Sequence, residues 1–469
     1  MVSIEPNAVS DAQVQSDRTN ILYKAAWRWH FYAGLYVIPF LIMLALTGLV
    51  MLWISVLSGR DGEWINVTPQ EQVLPVSELS DAAVQSVPGS TLVQYVAPRG
   101  DDLVALFRVD LDGVATMVAV NPYTAEIMSS AVRREGWYDF ANDIHGTVLL
   151  GVTGDRMIEI AASLTMVLIA TGMYLWWPRN GEGFRALIPK FTARRRSLWK
   201  TLHATIGAWV SVLLVLFLLS GLAWAGIWGG KFVQAWSTFP AEKWGAPLSD
   251  VTHASMNHGA TEEVPWALEQ TPMPASGSDV GVTGLSEGQP VNIDTVTTFA
   301  RQIGYDARFQ LNLPSGETGV WTISRDSMSN DSANPTDDRT VHIDQYTGRI
   351  LADVRFEDYS IYGQGMAVGI ALHEGDMGIW NIIVNTVFCL MVIFLSVSGV
   401  VMWWMRRPSK AGRIAAPSMP RDMPLWQGAV LVGLAVSLAF PLAGLTLLAV
   451  LVLDFLVISR IPILRRMLS

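Results

Sequence analysis

Four stretches of this sequence, 31–54, 157–177, 203–228 and 379–405, run with almost no charge for the roughly 20 residues a helix needs to cross the hydrocarbon core of a bilayer. A chain built this way does not fold as a water-soluble enzyme. Of its 469 residues 51% are hydrophobic and 16% charged, against about 25% charged in ordinary soluble proteins. A fifth apolar stretch, 425–457, is longer than one helix needs and is interrupted by Pro441, so it reads as two short helices. The polar 20-residue start and the lack of a small-x-small site after the first span argue against a cleaved signal peptide.

Charge orients the spans. Segment 178–200 carries seven Lys and Arg against Glu182 alone, and Arg406, Arg407, Lys410, Arg413 and Arg421 follow the fourth span, so both belong in the cytoplasm. Segments 60–144 (five basic, thirteen acidic) and 229–372 (eight basic, eighteen acidic) belong outside. Arg460, Arg465 and Arg466 put the end of the chain inside, which requires an even number of helices after the fourth span. The expected order is a disordered tail 1–20, a span 21–56, an outside module 57–144, a span with its leading histidine 145–178, a basic loop 179–200, a span 201–228, a second outside module 229–372, a histidine and span 373–407, a loop 408–423, and helices 424–441 and 442–469. That makes six helices with both termini cytoplasmic. The outside segments show strand-like runs at 90–96, 103–109, 117–120, 307–313, 320–324 and 340–344, with Asp112-Gly113 as a hairpin turn. Segment 246–289 reads as loop, and the two segments as two small α+β modules.

The chain is internally duplicated. Trp27-Arg28-Trp29-His30, with Gly34 at +4 and Thr47-Gly48 at +18, is answered by Trp199-Lys200-Thr201-Leu202-His203, Gly207 and Ser220-Gly221. Ile144-His145-Gly146, Thr171-Gly172 and Trp176-Trp177 are answered by Leu372-His373-Glu374-Gly375, Ser398-Gly399 and Trp403-Trp404. Two copies running the same way are related by a pseudo-two-fold axis along the membrane normal. His30 then faces His203 at the cytoplasmic edge and His145 faces His373 at the outer edge.

Histidines near the hydrocarbon boundary are costly and are functional candidates. Two facing neutral imidazoles at one depth suit axial ligation of a haem iron, and Gly34 and Gly207, one turn on, leave room for a porphyrin. An interfacial histidine satisfied by backbone or headgroups competes with this for any one of the four alone. Zinc would need further ligands, for which only Asp143, Glu374 and Asp376 offer themselves. His253, Met256 and His258 form a copper-compatible cluster that reads first as polar loop, and His342 reads as a surface strand residue. The paired tryptophans read as interfacial anchors, and the single cysteine, Cys389, as a packing residue. One cysteine excludes a cysteine-ligated iron–sulfur cluster and covalent C-x-x-C-H haem, and a net charge of −9 is no nucleic-acid footprint.

The run Trp-Arg-Trp-His-Phe-Tyr-Ala-Gly-Leu at 27–35, Asp-Ile-His-Gly-Thr at 143–147, Leu-Trp-Trp-Pro-Arg at 175–179 and the paired turns Asn-Pro-Tyr-Thr at 121–124 and Asp-Gln-Tyr-Thr-Gly at 344–348 resemble the PepSY-associated transmembrane-helix proteins of bacterial inner membranes. The resemblance implies an α-helical polytopic membrane protein with two periplasmic PepSY-like modules. It also implies kinship with haem-containing reductases that release iron from ferric siderophores, with two haem b groups, one held by His30 and His203 and one by His145 and His373. The first expectation is therefore an electron conduit that takes electrons from a quinol or a cytoplasmic reductase and delivers them to a ferric siderophore or another small oxidised acceptor. The acidic outside segments favour neutral or cationic acceptors. The alternative is a non-enzymatic membrane-anchored binding or signalling protein. A transporter is disfavoured, because the spans hold almost no charge at mid-depth.

Overall fold

The computed structural model of the protein describes residues 11–179, 183–257, 263–407, 414, 416–417, 434–453, 456–457 and 460–461. Its principal helices are α1 (Asp11–Leu57), α2 (Val76–Ser86), α3 (Trp137–Thr147), α4 (Val152–Trp176), α5 (Arg196–Leu222), α6 (Gln234–Ser237), α7 (Ile293–Gln302), α8 (Ile361–Glu374), α9 (Ile379–Arg406) and α10 (Pro441–Leu453). The strands are β1 (Thr91–Val96), β2 (Ala105–Leu111), β3 (Val114–Val120), β4 (Ile127–Val132), β5 (Leu248–Thr252), β6 (Pro272–Pro274), β7 (Gln310–Asn312), β8 (Val320–Arg325), β9 (Arg339–Asp344) and β10 (Ile350–Arg355). They form two compact units: a helical one of 1–46, 146–228 and 387–469, and a sheet-bearing one of 47–145 and 229–386.

Four helices, Ile21–Leu57, Val152–Trp176, Arg196–Leu222 and Ile379–Arg406, are long and apolar enough to cross a membrane. Helix α1 already begins at Asp11, inside the tail expected to be irregular, because no Gly or Pro interrupts the run from Asp11 to Ala33. The third span stops at Leu222, short of the expected 228. The backbone N–H groups that would continue it are drawn to carboxylates of α4: Gly226 to Asp155 at 3.3 Å, Ile227 to Glu159 at 3.2 Å and Trp228 to Glu159 at 3.1 Å. Glu159, 1% exposed, is a buried carboxyl inside a span. In the helical unit Phe217 stacks on Phe388 at 4.2 Å and Trp199 on Phe394 at 5.9 Å. Trp228 donates to Ala439 O at 2.9 Å and stacks on Phe440. Pro441 starts α10, where its missing N–H costs nothing. Parts of the expected final helices 424–441 and 442–469 lie outside the described residues.

The sheet unit departs from the expected pair of modules. Its main sheet is a single eight-stranded one in the order β10-β9-β8-β7-β1-β2-β3-β4. Each sequence segment supplies four strands, and the two halves join through antiparallel pairing of β1 with β7, Tyr95 opposite Leu311. The join closes two open strand edges at once. It also lets Tyr95, Phe107, Phe309 and Leu311 share one core with Leu79 and Ala83 of α2 and Val296 and Ala300 of α7. Alternate residues of the same strands, Gln94, Arg108, Gln310, Asn312, Thr322 and His342, are buried and polar. Strands β4 and β10 were not anticipated. Asp112 and Gly113 take φ values of 53° and 83° in the β2–β3 hairpin, as an Asp-Gly type I′ turn requires. The repeated turns are the same device twice: Asn121 Oδ1 accepts from Tyr123 N at 3.0 Å, and Asp344 Oδ1 from Tyr346 N at 2.8 Å. Segment 246–289, read as loop, holds the two-stranded sheet of β5 and β6.

Candidate cofactor sites

Within the helical unit, α1 and α5 bring His30 and His203 together with ring centroids 6.4 Å apart and planes at 86°. His30 Nδ1 lies 3.1 Å from Leu168 O and 3.0 Å from Thr171 Oγ1. A carbonyl can only accept, and Thr171 gives its own proton to Val167 O at 2.6 Å, so His30 carries its hydrogen on Nδ1. His203 Nδ1 meets Ser398 Oγ at 2.8 Å, and Ser398 in turn donates to Leu395 O at 3.0 Å. The His30 ring is therefore the Nδ1–H tautomer, with its Nε2 lone pair left for a ligand, and the His203 contact fits the same arrangement. Two glycines clear space for them: a Cβ at Gly172 would lie 3.1 Å from His30 Cε1, and one at Gly399 3.8 Å from His203 Cε1.

Around this pair lies a cavity of about 570 Å³, walled by Gly34, Gly207, Leu168, Ile38, Leu395 and Trp403 among others. A Cβ at Gly207 would sit 3.7 Å from Leu395 Cδ2, and one at Gly34 3.8 Å from Leu168 Cδ2.

The sheet unit holds the second pair. His145 of α3 and His373 of α8 lie with centroids 6.3 Å apart and planes at 84°. Thr47 Oγ1 is 2.8 Å from His145 Nδ1, and a Cβ at Gly48 would lie 3.7 Å from His145 Cε1. The turn after His373 is fixed from within α9: Asn385 Nδ2 donates to Leu372 O at 2.8 Å and His373 O at 3.1 Å, while Asn381 Nδ2 donates to Leu372 O at 3.0 Å. Gly375 closes α8 at φ 95°, where a side chain would strike Leu52. Glu374 pairs with Arg60 at 3.0 Å, and Arg60 lies over the Tyr138 ring at 4.6 Å. Burial pushes the carboxyls of Glu374 and Asp376 above the usual range, Asp376 further because Glu374 stands near it.

Both pairs pass a simple metric test. A metal–imidazole bond of about 2.0–2.1 Å plus about 1.1 Å from nitrogen to ring centre, counted twice, places the centroids of two imidazoles on one ion about 6.3 Å apart. Among the described residues no three His, Cys, Asp or Glu side chains gather as a metal group. A pair of nitrogens alone is the donor set that suits a metal whose remaining positions are filled by a macrocycle. The residues therefore fit haem, which His30 with His203, or His145 with His373, would hold.

A family model for the PepSY-associated TM region matches residues 27–406, a range that holds all four of these histidines. The chain belongs to that family. No curated protein matches the sequence.

Two readings of other histidines in this PepSY-associated protein are corrected by the structure. His342, expected at the surface, is 0% exposed, because its position in β9 faces the covered side of the sheet. His253, read as part of a polar loop, is equally buried. Their Nε2 atoms are 2.9 Å apart, His253 Nδ1 donates to Thr271 O at 2.8 Å, and Thr322 Oγ1 is 3.0 Å from His342 Nδ1. Trp244 packs on both rings. Burial lowers the His253 pKa to about 4 and that of His342 well below the usual 6.5. This pair is a neutral hydrogen-bonded couple, too close to hold a metal between its nitrogens. Met256 is buried in the adjoining apolar cluster, and His258 lies outside the described residues.

Sequence reasoning found the four histidines and missed what orients them. The repeated Thr/Ser-Gly dipeptides served only as markers of the duplication. In three of them, Thr47-Gly48, Thr171-Gly172 and Ser398-Gly399, the hydroxyl meets a histidine Nδ1 and the glycine makes room for its Cε1. Their matched spacing from the histidines was the available signal.

Proposed function

We propose that this PepSY-associated membrane protein is a di-haem oxidoreductase of the bacterial inner membrane that passes electrons outward to a small oxidised acceptor, most simply Fe(III) in a ferric siderophore. The observation that carries this reading is the recurrence, in separate units of the chain, of a histidine pair at 6.4 Å and 6.3 Å with nearly perpendicular rings. Bound haem supplies reversible one-electron chemistry at its iron. The chain's part is to present neutral imidazole donors, to fix their tautomer through Thr171 and Ser398, and to wall the first pair with apolar side chains that exclude water. One electron from a quinol or a cytoplasmic reductase converts Fe(III) to Fe(II), which hard oxygen donors hold less tightly, so the metal is released. Six spans, cytoplasmic termini and a periplasmic sheet unit complete the proposal, supported by the basic loops and acidic outside segments.

The test uses the full chain in proteoliposomes with a menaquinol or ubiquinol analogue in the membrane and a ferric hydroxamate outside. Formation of Fe(II), trapped by ferrozine, that depends on His30 and on His373 is the expected result. Quinol oxidation without Fe(II), or neither, defeats the siderophore-reductase reading.

A further inference from the structure

The short connection between α4 and α5 is tied to both helices by their side chains. Trp176 Nε1 donates to Ala186 O at 3.1 Å, Trp209 Nε1 donates to Leu187 O at 3.1 Å, and Lys190 N donates to Thr201 Oγ1 at 3.1 Å. Trp209 stands 13 residues beyond Arg196, where α5 begins, which is about 20 Å at 1.5 Å per residue. Its indole leans back toward the helix start, yet it still meets Leu187, while Lys190 meets Thr201 nearer that start. The chain at 187–190 therefore runs back along α5 and does not project from its end. The other repeat uses the same device: Trp403 Nε1 donates to Ile414 O at 2.6 Å, 11 residues on, as Trp176 does to a carbonyl 10 residues on. Backbone held at the depth of interfacial tryptophans needs its polar groups satisfied by protein, and here the spans do so. The turn Gly183–Leu187 and the residues after it nevertheless leave Phe184 89%, Ile188 65% and Phe191 72% exposed. Interleaved with them are Arg185, Arg194 and Arg195, all exposed.

We propose that 183–195 is a membrane-surface anchor that takes anionic phospholipid: Phe184, Ile188 and Phe191 enter the boundary between headgroups and acyl chains, and Arg185, Arg194 and Arg195 meet lipid phosphates. Both ends of the segment are tethered to spans, so it is held at the bilayer surface. Segment 178–200 carries seven basic residues against Glu182 alone, the charge that suits an anionic leaflet, and large apolar side chains among them suit insertion at the interface. Three such side chains turned to water would cost free energy that the bilayer removes. The lipid contact stands on the spans and not on the haem reading, and in the orientation proposed above the leaflet is the cytoplasmic one.

In the test, full-length protein with Cys389→Ala carries a nitroxide at Phe184→Cys or at Ile188→Cys and is placed in nanodiscs of phosphatidylcholine and phosphatidylglycerol. Power saturation should find both labels more accessible to oxygen, which concentrates in lipid, than to a water-soluble nickel chelate. Greater access to the chelate overturns the proposal. Protection from both reagents also overturns it, because a protein partner would then cover the segment. Unlabelled wild type and the R185Q/R194Q/R195Q variant are next melted in phosphatidylcholine as phosphatidylglycerol is titrated in. The phosphatidylglycerol fraction giving half-maximal thermal stabilisation should rise at least about fivefold in the variant, the scale of one cation's attraction to an anionic surface. High salt should move wild type in the same direction. R185K/R194K/R195K should keep the wild-type fraction, which separates charge from any effect on folding. An unchanged fraction in the glutamine variant, or a wild type that phosphatidylglycerol does not stabilise, overturns the assignment of anionic lipid to these arginines.

Discussion

Ser398 Oγ stands 2.8 Å from His203 Nδ1 and 3.0 Å from Leu395 O, a geometry that lets the hydroxyl donate to the carbonyl and accept from the ring. In that arrangement Nε2 of His203 is left for a ligand. Partners of this kind are worth about 10–100-fold in metal affinity. Ser398→Ala should weaken cofactor binding at the His203 pair by that order, measured by haem titration of the apoprotein, and Ser398→Thr should restore it. Equal affinity in Ser398→Ala and wild type would refute the role.

The glycines facing the rings predict opposite outcomes for the same substitution. A methyl at Gly172 would lie 3.1 Å from His30 Cε1, tighter than carbon atoms comfortably approach, whereas one at Gly399 would lie 3.8 Å from His203 Cε1, an ordinary contact. Gly172→Ala should shift His30 and reduce the haem at that pair. Gly399→Ala should leave it intact by optical spectroscopy and haem content.

The pairing of His30 with His203 and of His145 with His373 could be read from the sequence because duplication places equivalent residues across a symmetry axis, and spans are legible from apolar length alone. Joining of the outside segments into one sheet was not legible. The β1–β7 pairing is a long-range match between short strands, and neither segment advertises which edge it leaves open. The buried face occupied by His342 was hidden for a related reason. Its strand alternates apolar and polar residues as a half-exposed strand does, and only the covering loops bury the polar side. The roles of Asn381 and Asn385 were likewise invisible, since two amides inside an apolar span carry no spacing signal until the turn they hold is known.

That turn yields a prediction of its own. Asn385→Leu leaves Leu372 O with one donor and takes the amide from His373 O. A buried carbonyl so deprived costs about 1–3 kcal/mol. The variant should lose stability by about that amount and release haem from the His145–His373 pair while keeping it at the His30–His203 pair, as resolved by redox titration of the two components.

The buried His253–His342 couple makes stability depend on pH. Unfolded histidine titrates near 6.5 and folded His253 near 4, so the neutral couple's contribution is fully present above about pH 6.5 and is lost as the pH falls toward 4. At about 1.36 kcal/mol per pKa unit, His253 alone accounts for about 3 kcal/mol across that window. Asp338, pushed up to about 7 chiefly by burial, works in the opposite direction there. The readout is therefore the difference in unfolding free energy between wild type and His253→Leu/His342→Leu, measured from pH 7 to pH 4. It should move against wild type as the pH drops, and a flat difference would show that the couple does not titrate as described.

The central claim is that each histidine pair is an axial pair for haem, and the most direct measurement is the absorbance spectrum of detergent-purified protein, oxidised and dithionite-reduced, with haem counted per chain. The account predicts the spectrum of six-coordinate bis-imidazole haem b at about two per chain, falling to about one in His30→Ala and in His373→Ala with different components lost. Colourless protein from cells supplied with iron and haem precursor, or equal loss of both haems in every single variant, would contradict it.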